Sequence, residues 1–466
     1  MSSPAPPAGP EGVLSASFNQ DFSCVAVATC RGFKIYSFDA GAWVYEDAMG
    51  AVRIVEMLHT SSLLAVVGAG DAPDLSPRRV KVLNTSTHAC IADLAFTSTV
   101  LAVRLNRACL VVVEERRAVV HDLTTLAVQR VIDTPPNPRG VVALASDPDA
   151  SALALPCSDA SGVVHVHDCV NHHVACEVRA HDSPIAALAL TPDGRMLATA
   201  SEKGTVVRVH VLPAARLCYT FRRGAVPANV RTLAFGPPAA AAMGFAYLLL
   251  ASTEKGTAHV FRVEGDPQPR DGGGRAGGAT SAAGRVATAA AGLLGGAVAA
   301  KVSDAMRSKR DAATVRLPPA TVRVAADVAA RGGVGVGGVC ALRDATRADA
   351  GRRGGDHRGS SSASASVADE GREPTRDTNR RHVRVVGING DALMCEYDVD
   401  LESGTCTLER ECSVADAEGA AVAGAARWID GGGAGGGGGG EGDGGGMDMA
   451  ASMSAGMGGS LFESRA

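Results

Sequence analysis

Two adjacent arginines, flanked by two similar turns, are the residues of this chain best suited to bind an anion. Residues 221–224 read Phe-Arg-Arg-Gly, and the turns at 201–205 and 253–257 read Ser-Glu-Lys-Gly-Thr and Thr-Glu-Lys-Gly-Thr. Guanidinium groups and hydroxyl donors suit phosphate monoesters, which carry about −1.5 to −2 charges and several acceptor oxygens. In an extended strand successive side chains point to opposite faces, so Arg222 and Arg223 predict two pockets rather than one. Because each turn also contains a glycine, which lets backbone approach a ligand closely, the pattern predicts two equivalent anion sites.

Positive charge is concentrated around this pair. The stretch from Arg195 to Arg262 contains nine Lys or Arg and two Glu, a local balance of +7 (9 − 2), whereas the 466-residue chain has a net charge of −4. The charge of the whole chain argues against nucleic acid as a partner, and the local excess favours a cationic surface. The alternative to an anion site is that Arg222 and Arg223 lie on a solvated rim.

The composition is that of a globular chain rich in small residues, with 46% hydrophobic residues, 4% aromatic residues and 56 glycines. The first twelve residues have neither a basic n-region nor an apolar h-region, so we expect no secretory signal peptide. The longest apolar run, 286–300, is shorter than the roughly 18 residues that a transmembrane helix needs. Twelve cysteines without a C-x-x-C pair favour free thiols in a reducing compartment. We therefore expect a soluble or peripheral protein of the cytoplasm.

The arginine pair lies within a repeating pattern of short strands. Turns centred at 32, 79, 117, 162, 204 and 256 are about 38 to 52 residues apart, which is the period of a four-stranded propeller blade. Residues 163–167 (Val-Val-His-Val-His) and 206–210 (Val-Val-Arg-Val-His) have the branched, partly alternating composition of half-buried antiparallel strands. The sequence therefore predicts an all-β, seven-bladed β-propeller of the WD40-like type, a ring that closes without long exposed strand edges.

The domain boundaries are set by the segments that lie outside the predicted blades. We expect a disordered tail at 1–12, a propeller at 13–427 and a disordered Gly-rich tail at 428–466. Two long disordered insertions interrupt the blades, 264–313 in blade six and 343–381 in blade seven. The C-terminal tail contains six consecutive glycines and too little apolar surface to order itself.

These motifs resemble those of the PROPPINs, the β-propellers that bind polyphosphoinositides and act in autophagy. The resemblance is carried by 180–184 (Ala-His-Asp-Ser-Pro), 197–205 (Leu-Ala-Thr-Ala-Ser-Glu-Lys-Gly-Thr) and 221–224, with further matches at 76–80, 101–107 and 313–318. These segments cover about residues 13 to 412 in family order. The resemblance implies seven blades and two sites for phosphatidylinositol 3-phosphate or its 3,5-bisphosphate.

The resemblance also assigns residues to each site by motif position. The first site would be lined by Arg222, Thr199, Ser201, Gly204, Thr205, Arg208 and His181. The second site would be lined by Arg223, Ser252, Thr253, Thr257 and His259. Gly224 would let the backbone turn. His181 and His259 could donate to phosphate, helped by partial protonation near neutral pH; for His181 the alternative is a histidine bonded to a neighbouring strand.

The insertion at 264–313 matches the family loop that enters the bilayer between the third and fourth strands of blade six. Read as a helix, it forms an apolar stripe of Leu293, Leu294, Val298, Val302 and Met306. Basic residues at 301, 307, 309 and 310 would lie near lipid headgroups. Glycines at 292, 295 and 296 oppose a helix in water, each by up to about 1 kcal/mol relative to Ala, so we expect disorder off the membrane and a helix on it. The alternative is an inert linker.

Two further segments match partner-binding regions of the family. Pro77 and Arg78 in blade two resemble the segment that engages a large autophagy lipid-transfer protein, and Arg104 and Arg107 match a region that some members use for a conjugation-machinery protein. The chain has no catalytic serine elbow, P-loop or metalloprotease helix, and the histidines at 165–173 lack further ligands for a metal shell, so we expect no enzyme, cofactor or metal.

The predicted function is therefore that of a membrane-recruited scaffold of autophagy, monomeric in solution and associated peripherally with pre-autophagosomal, endosomal or vacuolar membranes. The alternative is a WD-repeat assembly platform whose basic rim binds acidic peptides without lipid.

Overall fold

In the computed structural model, seven four-stranded antiparallel sheets follow one another along the chain. The structure describes residues 12–150, 152–236, 246–264, 309–317, 339–344, 382–388 and 393–413. Each sheet consists of four consecutive strands, and each strand is hydrogen-bonded to the next one in the chain. This arrangement confirms the predicted seven-bladed β-propeller.

The strand bounds are as follows. Blades one to three contain β1 (Val13–Phe18), β2 (Cys24–Thr29), β3 (Phe33–Ser37), β4 (Ala42–Asp47), β5 (Val52–Met57), β6 (Leu63–Gly68), β7 (Arg79–Asn84), β8 (Ala89–Ala95), β9 (Ala102–Leu105), β10 (Cys109–Val113), β11 (Arg117–Asp122) and β12 (Val128–Asp133). Blades four and five contain β13 (Ala143–Leu144), β14 (Ala152–Pro156), β15 (Gly162–Asp168), β16 (His173–His181), β17 (Ile185–Leu190), β18 (Met196–Ser201), β19 (Val206–Val211) and β20 (Arg216–Arg222). Blades six and seven contain β21 (Val230–Phe235), β22 (Tyr247–Thr253), β23 (Thr257–Val263), β24 (Ala313–Arg316), β25 (Val339–Asp344), β26 (His382–Ile388), β27 (Leu393–Asp400) and β28 (Cys406–Ser413).

Two short 3₁₀ helices, Pro73–Leu75 and Pro148–Ala150, lie between strands. No helix in the described part of the chain is long and apolar enough to cross a bilayer.

Burial decreases from the middle strands of a blade to its outer strand. Every residue of β2, β6 and β18 is buried, because these second strands have a neighbouring blade on each face. The fourth strands β8 and β12 are largely exposed. Apolar side chains of adjacent blades form shared clusters, such as the one that joins Phe221 of blade five to Leu249 and Phe261 of blade six. Hydrophobic burial between sheets therefore holds the ring together.

The ring closes through side chains of the first and last blades. Blade one and blade seven each use four strands of their own, so no strand is exchanged between the two ends of the described chain. Val13 and Val25 of blade one share an apolar cluster with Val386 and Ile388 of blade seven. Across the same junction, Arg410 Nη1 donates a hydrogen bond of 2.6 Å to the Tyr36 hydroxyl.

The six predicted turn centres mark the passage from the second to the third strand of six different blades: 32, 204 and 256 lie between the two strands, whereas 79, 117 and 162 are the first residue of the third strand. Among them, Gly204 lies between β18 and β19, and Gly256 lies between β22 and β23. The insertion at 264–313 falls between β23 and β24, the third and fourth strands of blade six. The second insertion falls between β25 and β26, although β25 extends to Asp344, one residue past the predicted start at 343.

Candidate functional site

The arginine pair lies where the chain passes from blade five to blade six. Arg222 is the last residue of β20, the outermost strand of blade five, and Arg223 follows it. Phe221 is 1% exposed and stacks on Phe261 with ring centroids 4.8 Å apart, so it anchors β20 against blade six. Because side chains alternate along a strand, Arg222 lies on the opposite face, towards blade four.

Five predicted residues meet on this blade-four side, and we call them the first cluster: His181, Thr199, Ser201, Arg208 and Arg222. Thr199 pairs with Arg208 across β18 and β19, and Arg208 pairs with Thr220 across β19 and β20, two residues before Arg222. Ser201 lies two residues beyond Thr199 and therefore on the same face. Register thus brings residues of three strands together on one surface of blade five.

Contacts from blade four complete the first cluster. His181, the last residue of β16, has its Nε2 atom 3.0 Å from Thr199 Oγ1 and 3.2 Å from the Thr199 carbonyl oxygen. Arg208 Nη1 donates a hydrogen bond of 2.5 Å to the Ala180 carbonyl oxygen. The Arg222 side chain is exposed and forms no hydrogen bond or ion pair with any residue that the structure describes. Arg222 is therefore available to an external anion.

The protonation predicted for His181 is wrong. Burial, reinforced by the positive charge of Arg208, lowers the pKa of His181 to about 4, so the ring is neutral at pH 7. A neutral ring that bonds to Thr199 of the neighbouring blade is the alternative that the sequence had left open for this residue. His181 can offer an anion at most one N–H, without charge.

The two similar turns share a hydrogen-bond pattern and a positive φ, and the glycine of the first is also tightly packed. Gly204 N–H donates to the Ser201 carbonyl oxygen at 2.8 Å, and Gly256 N–H donates to the Thr253 carbonyl oxygen at 3.1 Å. Both glycines have positive φ, +58° and +73°, which other residues rarely adopt. A Cβ on Gly204 would lie 2.0 Å from the Ala228 carbonyl oxygen. The close approach at Gly204 is therefore to the connection into blade six rather than to a ligand.

Gly224 does not have the role that its motif position implies. Gly224 does not have a positive φ, and a Cβ added to it would meet no atom within 4 Å. The prediction that a glycine is needed for a turn here is wrong. The bend is instead fixed by Thr205, whose carbonyl oxygen accepts the N–H groups of Arg223 at 3.0 Å and Gly224 at 3.3 Å.

Arg223 turns the other way, towards blade six. Its Nε donates to the Gly204 carbonyl oxygen at 2.7 Å, and its Nη2 donates to the carbonyl oxygens of Val226 at 2.9 Å and Ala228 at 3.3 Å. Burial lowers the pKa of the Arg223 guanidinium, and the carboxylate of Glu254 opposes that shift. Arg223 therefore fastens a turn of blade five to the connection that enters blade six.

Three predicted residues of blade six lie on the face of its sheet that packs against blade five: Thr253, Thr257 and His259. Together with Arg223 we call them the second cluster. The hydroxyl oxygens of Thr253 and Thr257 are 2.8 Å apart. His259 pairs with Ala251, whose side chain packs with Phe261 in the cluster between blades five and six.

Ser252 is not part of this arrangement. It pairs with Ala258, which packs in the cluster between blades six and seven, so its side chain lies on the far face of the sheet. There it hydrogen-bonds the buried thiol of Cys340, whose pKa burial raises to about 12. Alternation along β22 separates Ser252 from the neighbouring Thr253, and the assignment of Ser252 to the second site is corrected accordingly.

Sequence reasoning missed the contacts that Lys309, Asp311 and Thr314 make where the blade-six insertion ends and β24 begins; it predicted Lys309 only as a cation near lipid headgroups. Asp311 Oδ2 lies 2.9 Å from His259 Nδ1 and accepts a hydrogen bond from Thr314 Oγ1. Burial opposes ionisation of Asp311, but these two hydrogen bonds outweigh it and lower the pKa of Asp311 below its ordinary value. Lys309 N–H donates to the Thr220 carbonyl oxygen, and the Lys309 carbonyl oxygen accepts the Arg222 N–H, both at 2.9 Å. No local pattern connects these residues to the arginine pair.

The predicted partner residues differ in exposure and in their contacts. Arg78 and Arg107 are exposed and Pro77 is half-buried. Arg104 instead reaches Glu56 of the neighbouring blade, with Nη1 and Oε2 3.3 Å apart, beside the central cavity. Burial raises the pKa of Glu56 to about 7, and the charge of Arg104 limits the rise.

The predicted membrane-inserting residues lie outside the described residues: Leu293, Leu294, Val298, Val302 and Met306. Among the described residues, no three His, Cys, Asp or Glu side chains are grouped as a metal ion would require.

Two solved structures, of Hsv2 and of Atg21, have the same fold as this chain. Kluyveromyces lactis Hsv2, solved with its complete loop 6CD, matches with a TM-score of 0.57 and 16% identity, over 87% of this chain and 99% of that one. KlAtg21, solved in complex with the coiled coil of AgAtg16, matches with a TM-score of 0.55 and 20% identity, over 86% of this chain and 99% of that one. At these identities the likeness concerns the fold.

Relatives and a family model extend the comparison to sequence. Autophagy-related protein 18b of Arabidopsis thaliana is 41% identical over 254 residues, which are 54% of this chain and 68% of that protein. Autophagy-related protein 18 of Yarrowia lipolytica is 39% identical over 275 residues, 54% of this chain and 67% of that protein. The PROPPIN family model matches residues 13–330. The chain therefore belongs to the PROPPIN family, whose members are phosphoinositide-binding β-propellers with a role in autophagy.

Proposed function

We propose that this chain is a non-enzymatic scaffold that binds phosphatidylinositol 3-phosphate and phosphatidylinositol 3,5-bisphosphate through the first and second clusters. Once on the membrane, it recruits autophagy proteins to the forming autophagosome. The observation that carries the proposal is the divergence of two adjacent arginines about the Phe221 anchor. Arg222 lies on the face of blade five that carries Thr199 and meets His181 of blade four, whereas Arg223 turns towards blade six, whose facing side carries Thr253, Thr257 and His259. Guanidinium and hydroxyl groups together donate the hydrogen bonds that phosphate monoesters accept.

Membrane binding has a second component in this proposal. The insertion at 264–313 leaves the propeller between β23 and β24, and its far end bonds to β20 beside Arg222. An apolar stripe at 293–306 that enters the bilayer would therefore act close to the headgroup clusters. Two weak contacts on one molecule reinforce each other, because the second is intramolecular once the first has formed.

The protein partners and the location follow from the family. We propose that the exposed Arg78, with Pro77, contributes to a surface for an autophagy lipid-transfer protein, and that Arg107 lies in the region for a conjugation-machinery protein. The chain acts as a monomer in the cytoplasm that associates peripherally with pre-autophagosomal, endosomal or vacuolar membranes.

Liposome flotation tests the lipid function. Wild-type protein and the double variant Arg222→Thr/Arg223→Thr are mixed with phosphatidylcholine vesicles that contain or lack phosphatidylinositol 3-phosphate. We expect the wild type to float only with the phosphoinositide, and the variant to lose at least about tenfold in binding, since hydrogen bonds to charged groups contribute about 1.5–3 kcal/mol each.

The matched control for charge is Arg179→Thr/Arg195→Thr, which removes two arginines whose side chains are each 83% exposed and pair with Glu177 and Asp193 rather than with a residue of either cluster. It should float like the wild type. Equal flotation in all samples would eliminate the lipid function and favour the acidic-peptide platform.

A further inference from the structure

Beside the second cluster lies an anion that belongs to the protein. The Asp311 carboxylate accepts a hydrogen bond from Thr314 Oγ1 and lies 2.9 Å from Nδ1 of His259, the histidine that we assign to a headgroup phosphate. His259 and Thr314 lower the pKa of Asp311 against the effect of burial, so the group is ionised at neutral pH. In the first cluster, Arg208 and His181 are bonded to backbone carbonyls and a hydroxyl instead.

Asp311 is held in place from both sides along the chain. Lys309 forms two backbone hydrogen bonds of 2.9 Å with β20, at Thr220 and Arg222. Ala312 N–H donates to the Val260 carbonyl oxygen at 2.7 Å, which starts the pairing of β24 with β23. The carboxylate therefore lies on a segment fixed to blade five before it and to blade six after it, and its position beside His259 is built into the fold.

The side chain of Lys309 fixes the segment further. Lys309 Nζ lies 3.1 Å from Glu264 Oε1 and 5.1 Å from the centre of the Tyr219 ring, while the Tyr219 hydroxyl donates to the Glu264 carbonyl oxygen at 3.0 Å. The two ends of the insertion are thus joined to each other over β20. These contacts fix the backbone on which Asp311 lies, so displacing its carboxylate from His259 and Thr314 requires only that the Asp311 side chain rotate.

We propose that Asp311 is a specificity-determining residue of the second cluster: an internal anion that admits phosphate monoesters and rejects phosphate diesters. The inference rests on the proposed lipid function. A phosphomonoester carries about −1.5 to −2 charges and three acceptor oxygens, so it can replace a single carboxylate on His259 and Thr314. A diester such as phosphatidylserine or unphosphorylated phosphatidylinositol has one negative charge on its phosphate and two free oxygens, and gains nothing by displacing Asp311. Selection through repulsion of the wrong ligand is a general route to specificity.

Vesicle binding by wild type and Asp311→Asn tests this inference. The vesicles are phosphatidylcholine with either phosphatidylinositol 3-phosphate or phosphatidylserine, at equal surface charge and physiological salt. We expect Asp311→Asn to bind the phosphoinositide vesicles about tenfold more tightly than the wild type and to gain measurable binding to phosphatidylserine. Asp311→Glu, which keeps the charge, should retain the preference of the wild type.

Asp398→Asn is the matched control, because His382 Nδ1 and Asp398 Oδ2 form a similar pair at 2.8 Å in blade seven. It changes the net charge by the same amount and should leave lipid selection unaltered. Equal binding of phosphoinositide vesicles by Asp311→Asn and the wild type would overturn the inference. Weaker binding by Asp311→Asn would overturn it too, because Asp311 would then help His259 to bind phosphate rather than compete with phosphate for His259. Loss of discrimination in Asp311→Glu would overturn it as well.

Failure of the proposed function gives a different result. In that case the wild type itself does not bind phosphoinositide vesicles, and both the function and the inference fall. If the wild type binds and only the Asp311 variants depart from expectation, the lipid function stands and the inference alone is lost.

Discussion

The two clusters beside Phe221 start from adjacent arginines and nearly identical turns, yet they differ in charge and in what their arginines do. Arg222 of the first cluster has no side-chain partner among the described residues, whereas Arg223 of the second donates to three backbone carbonyls. The first cluster contains no carboxylate, whereas Asp311 contacts the second and Glu254 acts on its arginine. Two clusters that look equivalent in sequence therefore differ: the arginine of the first has no side-chain partner among the described residues, and the second has a carboxylate beside its histidine.

The largest expected difference between the clusters is in stability. Arg223→Ala removes hydrogen bonds that join the turn at Gly204 to the connection into blade six, so we expect it to lower the free energy of unfolding by about 1–3 kcal/mol. Arg222→Ala should change the free energy of unfolding by less than about 0.5 kcal/mol, because the side chain that it removes is exposed and has no hydrogen-bond partner among the described residues. Urea denaturation of both variants measures this. Equal destabilisation would contradict the separation of roles.

A second difference concerns acid. The pKa of His181 is about 4 in the folded protein and about 6.5 when unfolded, so between these pH values the unfolded chain binds a proton that the folded one does not. Stability from this group is present above pH 6.5 and is lost as the pH falls towards 4. Desolvation and the charges of Arg208 and His210 favour the neutral ring, and Asp182 opposes them.

The measurement is the thermal midpoint of wild type and His181→Gln between pH 7 and pH 4. The variant should lose stability less steeply than the wild type as the pH falls. His167 and His210, whose pKa values burial also lowers to about 4, will keep part of the slope in both proteins. His173→Gln, at an exposed position, is the control. Parallel curves for wild type and His181→Gln would mean that the ring is not held neutral.

The smallest expected effect separates two hydroxyls on opposite faces of blade six. Thr257→Ala removes a hydroxyl from the second cluster and should weaken binding to phosphatidylinositol 3-phosphate vesicles by about 2-fold to 10-fold, equivalent to about 0.5–1.5 kcal/mol. Ser252→Ala removes a hydroxyl that bonds Cys340 on the far face and should leave binding unchanged. Weaker binding by Ser252→Ala than by Thr257→Ala would return Ser252 to the second cluster.

Much of the candidate site could be predicted from sequence because it depends on strand alternation. The opposite directions of Arg222 and Arg223 follow from a period of two residues, and so does the shared face of Thr199 and Ser201. The same rule also separates Ser252 from Thr253, an outcome that assignment by motif position overlooked. Motif position identifies a segment, whereas register decides the face.

The roles of the glycines could not be predicted, because they depend on neighbours that are distant in sequence. Gly204 forms the turn that the sequence indicates, but the atom pressed against it is the Ala228 carbonyl oxygen from the next connection. Gly224 has open space where a side chain would lie. The protonation of His181 was likewise decided by packing, since burial of this blade-four residue against blade five lowers its pKa.

The sequence by itself determined the seven blades, because the repeat period, the turns and the alternating apolar residues are local properties of the chain. It also determined that a cationic pair lies between blades five and six. Only the tertiary structure decided that Asp311 meets His259, that Lys309 bonds to the strand of Arg222, and that the ring closes through side chains of blades one and seven. The physical reason is that these contacts join segments far apart in the chain, and their positions depend on how whole sheets pack against one another.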